Sequence, residues 1–223
     1  YIPYYTADNR GAAGRATDIN ATPNAEGNLS VDLSWTNPTK TWSGDELKEL
    51  AEVQVYRKLS YADKCALSSE DIYANSVCVA TLPATAADLG KSMTWTDNAP
   101  IDGMNTYYIV PCRVSGEKGV PDSIRCAAGV DIPGVPTNFV ATVAGEGVSL
   151  KWDAPVDGRN NGFISQADLR YDIVRNPGKV TVATDVAGTE YTDNTVAQLQ
   201  RTKFTYTIVA KNAKGSSDPV ESN

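Results

Sequence analysis

There is no histidine in the 223 residues. Its absence removes the commonest general base and a common metal ligand. Cysteine is scarce, with Cys65, Cys78, Cys112 and Cys126 the only four, and no two of them form a Cys-x-x-Cys pair of the kind that binds zinc. Basic residues are outnumbered, 20 to 27, and the two signs are interspersed along a chain of net charge -7. A surface of that kind disfavours nucleic acid and anionic membranes, both of which call for basic patches. No apolar run approaches the roughly 18–20 residues of a membrane span. Neither a Gly-x-Ser-x-Gly elbow, a P-loop nor a dinucleotide fingerprint occurs. The carboxylate pairs Asp45/Glu46 and Glu70/Asp71 have no evident acid–base partner. The expectation is a non-enzymatic chain without cofactor, metal, nucleic-acid partner or membrane insertion.

What the chain does contain is a repeat. Leu33-Ser34-Trp35-Thr36-Asn37-Pro38 is echoed by Leu150-Lys151-Trp152-Asp153-Ala154-Pro155. Trp95-Thr96-Asp97-Asn98 is echoed by Tyr191-Thr192-Asp193-Asn194, and Thr106-Tyr107-Tyr108-Ile109-Val110 by Thr205-Tyr206-Thr207-Ile208-Val209. Three echoes in one order mean two copies of a domain of roughly 100 residues. Within each copy the apolar residues alternate: Val31, Leu33 and Trp35; Val53 and Val55; Val148, Leu150 and Trp152; Tyr206, Ile208 and Ala210. A period of two, with turns every 8–12 residues, predicts all-β antiparallel sandwiches. Trp35, Trp152, Trp95, Tyr191, Tyr107 and Tyr206 fall on the apolar faces and read as structural core. The single helix-like stretch is Gly44 to Glu52, with Ser43 as its N-cap.

The expected organisation is an N-terminal segment 1–15, a first domain 16–130, a short Pro/Gly linker 131–136 and a second domain 137–223. Forty residues separate Arg57 from Asp97, but eighteen separate Arg175 from Asp193. The first copy therefore carries an insertion of about 22 residues, placed near 59–77. Four cysteines allow three pairings. Cys65–Cys78 would tie off the insertion, and Cys112–Cys126 would face each other across a hairpin turning near Gly116 and Gly119. Those pairings are favoured, and they imply an oxidising, extracytoplasmic setting. The alternative is free thiols in a reducing compartment.

The pattern resembles the fibronectin type III family. The carrying residues are Trp35 and Trp152 followed by Pro38 and Pro155, the third strands with Tyr56-Arg57 and Val174-Arg175, the approach Tyr191-Thr192-Asp193, and the run from Phe204 to Gly215. The family often has Tyr where Phe204 stands, and Pro111-Cys112 departs from its Ala-x-Asn pattern. The resemblance implies two tandem immunoglobulin-like sandwiches over about Ala16 to Asn223, the first with a disulfide-tied insertion. A narrower resemblance is to tandem modules of secreted, surface-associated proteins of Bacteroidetes-type bacteria. It is carried by Leu33 to Pro38, Val53 to Arg57 and Asp157 to Ile164.

Such modules imply an extracellular adhesion or spacer segment of a larger secreted or cell-surface protein. Its partners would be neighbouring domains of the parent protein, surface glycans, or host and cell-surface proteins. A second reading is a carbohydrate-binding accessory region of a glycan-processing system. Loop aromatics would carry it: Trp42, in a polar loop with no counterpart in the second copy, with Tyr61 and Tyr73 of the insertion. A binding face needs these three together and exposed, whereas a spacer has them apart or tucked in. The Asp157 to Gly162 loop has the Asp/Asn/Gly content of a calcium loop but lacks a closing bidentate Glu, and it reads as turn chemistry.

Overall fold

The computed structural model describes residues 11–59, 69–196 and 202–223. The chain divides into two compact units, one built on residues up to Ala128 and one from Gly129 to Asn223. Among the described residues, no helix is long and apolar enough to cross a membrane.

Among the described residues, the first unit holds seven antiparallel strands in two sheets. One sheet orders β1 (Thr17–Pro23), β2 (Val31–Thr36) and β5 (Ser92–Asp97) as β1-β2-β5. The other contains β3 (Glu52–Lys58), β4 (Ser76–Pro83), β6 (Gly103–Cys112) and β7 (Asp122–Ala128), ordered β4-β3-β6-β7. Alternation on β2 turns Val31, Leu33 and Trp35 inward, where they meet Val53, Val55, Tyr107 and Ile109 of the other sheet in one buried cluster. That shared cluster makes the pair of sheets a sandwich.

The second unit repeats this plan. One sheet orders β8 (Thr137–Ala144), β9 (Gly147–Asp153) and β12 (Glu190–Asp193) as β12-β9-β8. Facing it are β10 (Arg170–Asn176), β11 (Val180–Val186), β13 (Thr205–Asn212) and the short β14 (Gly215–Ser216) and β15 (Val220–Glu221), the last two both paired to β13. Leu150, Trp152, Tyr171, Ile173, Tyr206 and Ile208 form its core. The echoes are equivalent in register as well as order. Leu33 lies opposite Trp95 and Leu150 opposite Tyr191; Arg57 lies opposite Tyr107 and Arg175 opposite Tyr206.

Much of the extra length of the first copy sits between its third and fourth strands. That connection, 59–75, takes seventeen residues, against the three of 177–179 in the second unit. It includes α1 (Ser69–Ala74), whose Ile72 and Tyr73 pack on Tyr56, Tyr108, Val110 and Cys112. Those residues occupy the face of the sheet turned away from the main core, so the insertion covers a surface that an ordinary sandwich leaves to water.

Three expectations are corrected or refined here. Gly44 to Glu52 is not a helix. Gly44 adopts φ +93° in a turn where Thr41 Oγ1 accepts from the Asp45 N–H at 3.1 Å, and the irregular chain after it carries Leu47 and Leu50 into the core. Cys112 and Cys126 do not pair; both are free thiols, as is Cys78. The β6–β7 ladder sets Asn105 opposite Cys126 and Ile109 opposite Asp122. Cys126 therefore points into the main core while Cys112 lies under α1 on the opposite face, and no bridge reaches through a sheet. The disulfide-tied insertion is likewise not formed at its Cys78 end; Cys65 lies outside the described residues.

Residues 131–136 belong with the second unit's framework. Buried Asp131 accepts hydrogen bonds from the Asn160 N–H at 2.8 Å, Asn160 Nδ2 at 3.1 Å and the Gly162 N–H at 3.1 Å, while Gly134 N–H donates to the Asp157 carbonyl. A carboxylate so heavily bonded is not part of a loose tether.

The free thiols make a direct prediction. Burial pushes Cys112 up to about 11, helped by the charge of Glu52, and burial pushes Cys126 up to about 11. Cys78 is exposed. A maleimide pulse on the native chain, read by peptide mass spectrometry, is expected to label Cys78 quickly and the other two only after denaturation. A Cys112–Cys126 bridge in the non-reduced digest would contradict the fold.

Candidate functional site

The loop bearing Trp42 is strapped down by backbone contacts. Trp42 N–H donates to the Ala12 carbonyl at 2.8 Å, and Gly14 N–H donates to the Lys40 carbonyl at 2.9 Å. Position 14 requires glycine, because a Cβ there would lie 2.8 Å from the Lys40 oxygen. Thr41 closes the turn from inside, its N–H reaching the Asp45 carbonyl at 2.8 Å. This bracing presents the Trp42 side chain, 39% exposed, on the wall of an open groove of about 510 Å³.

The rest of the lining is mixed, with Pro38, Gly14 and Gly90 beside polar side chains. Thr17, Thr36, Thr39, Arg15 and Lys40 contribute hydroxyls and two cations, and among the described residues no carboxylate side chain lines the groove. Asn37 also borders it but is committed to the fold. Its Oδ1 accepts from Trp35 Nε1 at 3.0 Å, and its Nδ2 donates to the Asp88 carbonyl at 3.1 Å.

The other expected site residues lie elsewhere or outside the described structure. Tyr73 rides on α1 against Tyr56, ring centroids 4.9 Å apart, with Lys118 Nζ 4.1 Å from its ring centre. It anchors the insertion and shares no lining residue with Trp42. Tyr61 lies outside the described residues. The core expectations have clear positions: Trp35, Trp152, Tyr107 and Tyr206 are buried, and Trp95 and Tyr191 are packed against the same clusters.

The Asp157–Gly162 loop wraps the Asp131 carboxylate, with Asn161 at φ +59° in its turn. Among the described residues, no group of three or more Cys, Asp or Glu could hold a metal ion.

One constellation joins residues that the sequence presents separately, Asp97, Asp193, Tyr107 and Tyr206 in the echoes and Arg57 and Arg175 in the third strands. In the first unit Arg57 Nη1 lies 2.6 Å from Asp97 Oδ2, and Tyr107 Oη donates to the same oxygen at 2.7 Å. In the second, Arg175 Nη1 is 2.9 Å from Asp193 Oδ2 and Tyr206 Oη 2.8 Å from it. The other carboxylate oxygen accepts from the Ala99 N–H in one copy and the Thr195 N–H in the other. Both clusters are largely sealed from water, and they pin the end of one sheet to a strand of the other. Phe204, where the family often has Tyr, lies under the Arg175 guanidinium at 5.2 Å. The hydroxyl contact comes instead from Tyr206. Burial raises both tyrosine hydroxyls far beyond their ordinary value, reinforced by the adjacent carboxylates, so they act as permanent donors.

The copies differ at one buried contact. Ala154 occupies the position of Asn37, and Trp152 Nε1 and Tyr171 Oη are buried side by side without a well-formed hydrogen bond among the described residues. Burial raises the Tyr171 hydroxyl, and the Trp152 indole pulls the other way. Ala154→Asn is expected to supply the missing acceptor and stabilise the second unit by about 1 kcal/mol. Amide exchange along β9 and β10 measures it; faster exchange in the variant would refute the assignment.

Neither a known protein-family profile nor a curated protein matches the chain. Solved structures similar to it include an Fn3-like protein from Clostridium thermocellum, at 25% identity and TM-score 0.31, covering 41% of this chain and 92% of that one. Another is the FN1-FN3 domains of chicken CNTN1, at 13% identity and TM-score 0.34, covering 95% of this chain and 66% of that one.

Proposed function

We propose that this chain is a pair of fibronectin type III-like sandwiches serving as a non-catalytic adhesion and spacing segment of a larger bacterial surface or secreted protein. One observation carries the reading: the best-buried ion pairs among the described residues form the same Arg–Asp–Tyr lock twice, chemistry that serves rigidity. The three-plus-four strand order of the first unit and the aligned registers support the family resemblance. An extracellular setting rests on that resemblance alone, since the cysteine argument for it no longer holds.

The carbohydrate reading narrows. Tyr73 packs against Tyr56 and Lys118 on α1, and the groove beside Trp42 is what supports saccharide binding. Column-bound chain tested against a broad glycan mixture separates the possibilities. Retention with glycans recovered intact supports adhesion, and silence from folded protein favours spacing alone. Cleaved or otherwise converted glycans would overturn the non-catalytic reading.

A further inference from the structure

We propose that the Trp42 groove is a subsite for a carboxylated pyranose, a uronic acid residue within an oligosaccharide. The proposal rests on the adhesion reading and names its ligand class. Three features of the groove converge on that chemistry. A partly exposed indole held by a braced loop contributes apolar surface to the groove wall, the kind of surface on which the C–H face of a pyranose ring packs. Thr17 and Thr39 supply hydroxyls that both donate to and accept from sugar hydroxyls. Two cations, Arg15 and Lys40, border the same space with no carboxylate among its described lining residues, in a chain whose net charge is -7.

The cations are not equivalent. Arg15 Nη1 already donates to the Pro121 carbonyl at 3.2 Å and lies 4.0 Å from Asp122. Its charge is partly answered and its position fixed. Lys40 has no ion-pair partner among the described residues, while its backbone is tied to Gly14. A carboxylate placed between the two would satisfy Lys40 and take up the remaining donors of Arg15. A neutral sugar would leave these exposed cations to water, whereas a carboxylate would gain a charge-assisted contact that favours the acidic sugar.

The test uses two tetrasaccharides of the same backbone: a β-1,4-glucuronan tetramer and cellotetraose, which carries a hydroxymethyl group in place of each carboxylate. Titration of the full chain, by calorimetry and by NMR line shifts, is expected to give saturable glucuronan binding that weakens as salt rises. Cellotetraose should bind at least about tenfold more weakly, and Lys40→Gln should weaken glucuronan by about tenfold, as loss of one charge-assisted contact does. Trp42→Ala should abolish binding, and Trp42→Tyr should retain it. Circular dichroism of each variant checks that the fold is intact.

Equal affinity for the two sugars, with both lost in Trp42→Ala, would overturn the acidic specificity and leave saccharide adhesion standing. Glucuronan binding unchanged in Trp42→Ala or Lys40→Gln would overturn the site. No binding of either sugar to folded chain would overturn the proposal, while the broad glycan retention experiment decides adhesion separately.

Discussion

Replacing Asp193 with alanine should destabilise the second unit by about 3–5 kcal/mol, the usual cost of leaving one member of a buried ion pair alone. The Asp193 and Arg175 side chains are 1% and 8% exposed, so water does not rescue the guanidinium once its partner is gone. The same change strands the Tyr206 hydroxyl and the Thr195 N–H, both of which donate to this carboxylate. With small domains holding about 5–15 kcal/mol in total, the loss brings the unit near unfolding under mild denaturant. Amide exchange along β10 and β13 should accelerate strongly while β2 and β6 of the first unit change little. A double variant, Arg175→Met with Asp193→Leu, should recover a large part of the loss, because two apolar side chains leave no stranded charge. If Asp193→Ala costs under about 1 kcal/mol, the lock has only the weight of a surface ion pair.

Acid reports the same contact. Burial would raise the Asp193 carboxyl, but hydrogen bonds from Thr195, Arg175 and Tyr206 outweigh it and hold the group below its ordinary value. A carboxyl depressed in the folded state stabilises above its unfolded value of about 3.9 and loses that contribution as pH falls through the folded value. The stability of the second unit should therefore be flat from about pH 7 to 5 on this account and decline below about pH 4, with the acid limb reduced in Asp193→Asn.

Which features were legible before any coordinates follows from the range of the signals. Strand identity and register on β2 and β9 were readable because alternation is local, and one face of each strand is buried. The partners Arg57 and Asp97 are visible as a third-strand arginine and an echoed aspartate forty residues apart, but nothing in spacing says that two such residues meet across a sandwich. The hairpin of β6 and β7 misled for a related reason. The midpoint of Cys112 and Cys126 is a good guess only when both occupy the same face, and the ladder gives them opposite parity. Gly44 to Glu52 carried a local helix signal that lost to the turn at Gly44 and to the tertiary contacts that bury Leu47 and Leu50. Tyr73 was visible as a loop aromatic, but its anchorage depends on Tyr56 and Lys118, both far away in sequence. Trp42 was singled out by its lack of a counterpart; the cations beside it became meaningful only when the 12–14 segment was seen to lie against its loop.

The second large effect is expected at Trp35, and it separates the two copies. Trp35→Ala should cost the first unit about 3–5 kcal/mol, from lost packing and the cavity left in a core shared by both sheets. The more informative change is Trp35→Phe. It keeps most of the apolar contact but removes the Nε1 donor, leaving Asn37 Oδ1 buried without its partner, a penalty of about 1–3 kcal/mol beyond the packing change. Trp152→Phe removes a donor that already lacks a well-formed bond, so the second unit should not incur that penalty. Chemical denaturation followed by amide exchange on β2 and β9 gives the two costs in one experiment. A markedly larger cost for Trp35→Phe would show that the divergence from Asn37 to Ala154 changed the energetics of the core and not merely its outline. Equal costs would mean that the Trp35–Asn37 contact contributes little and that both indoles act through packing alone.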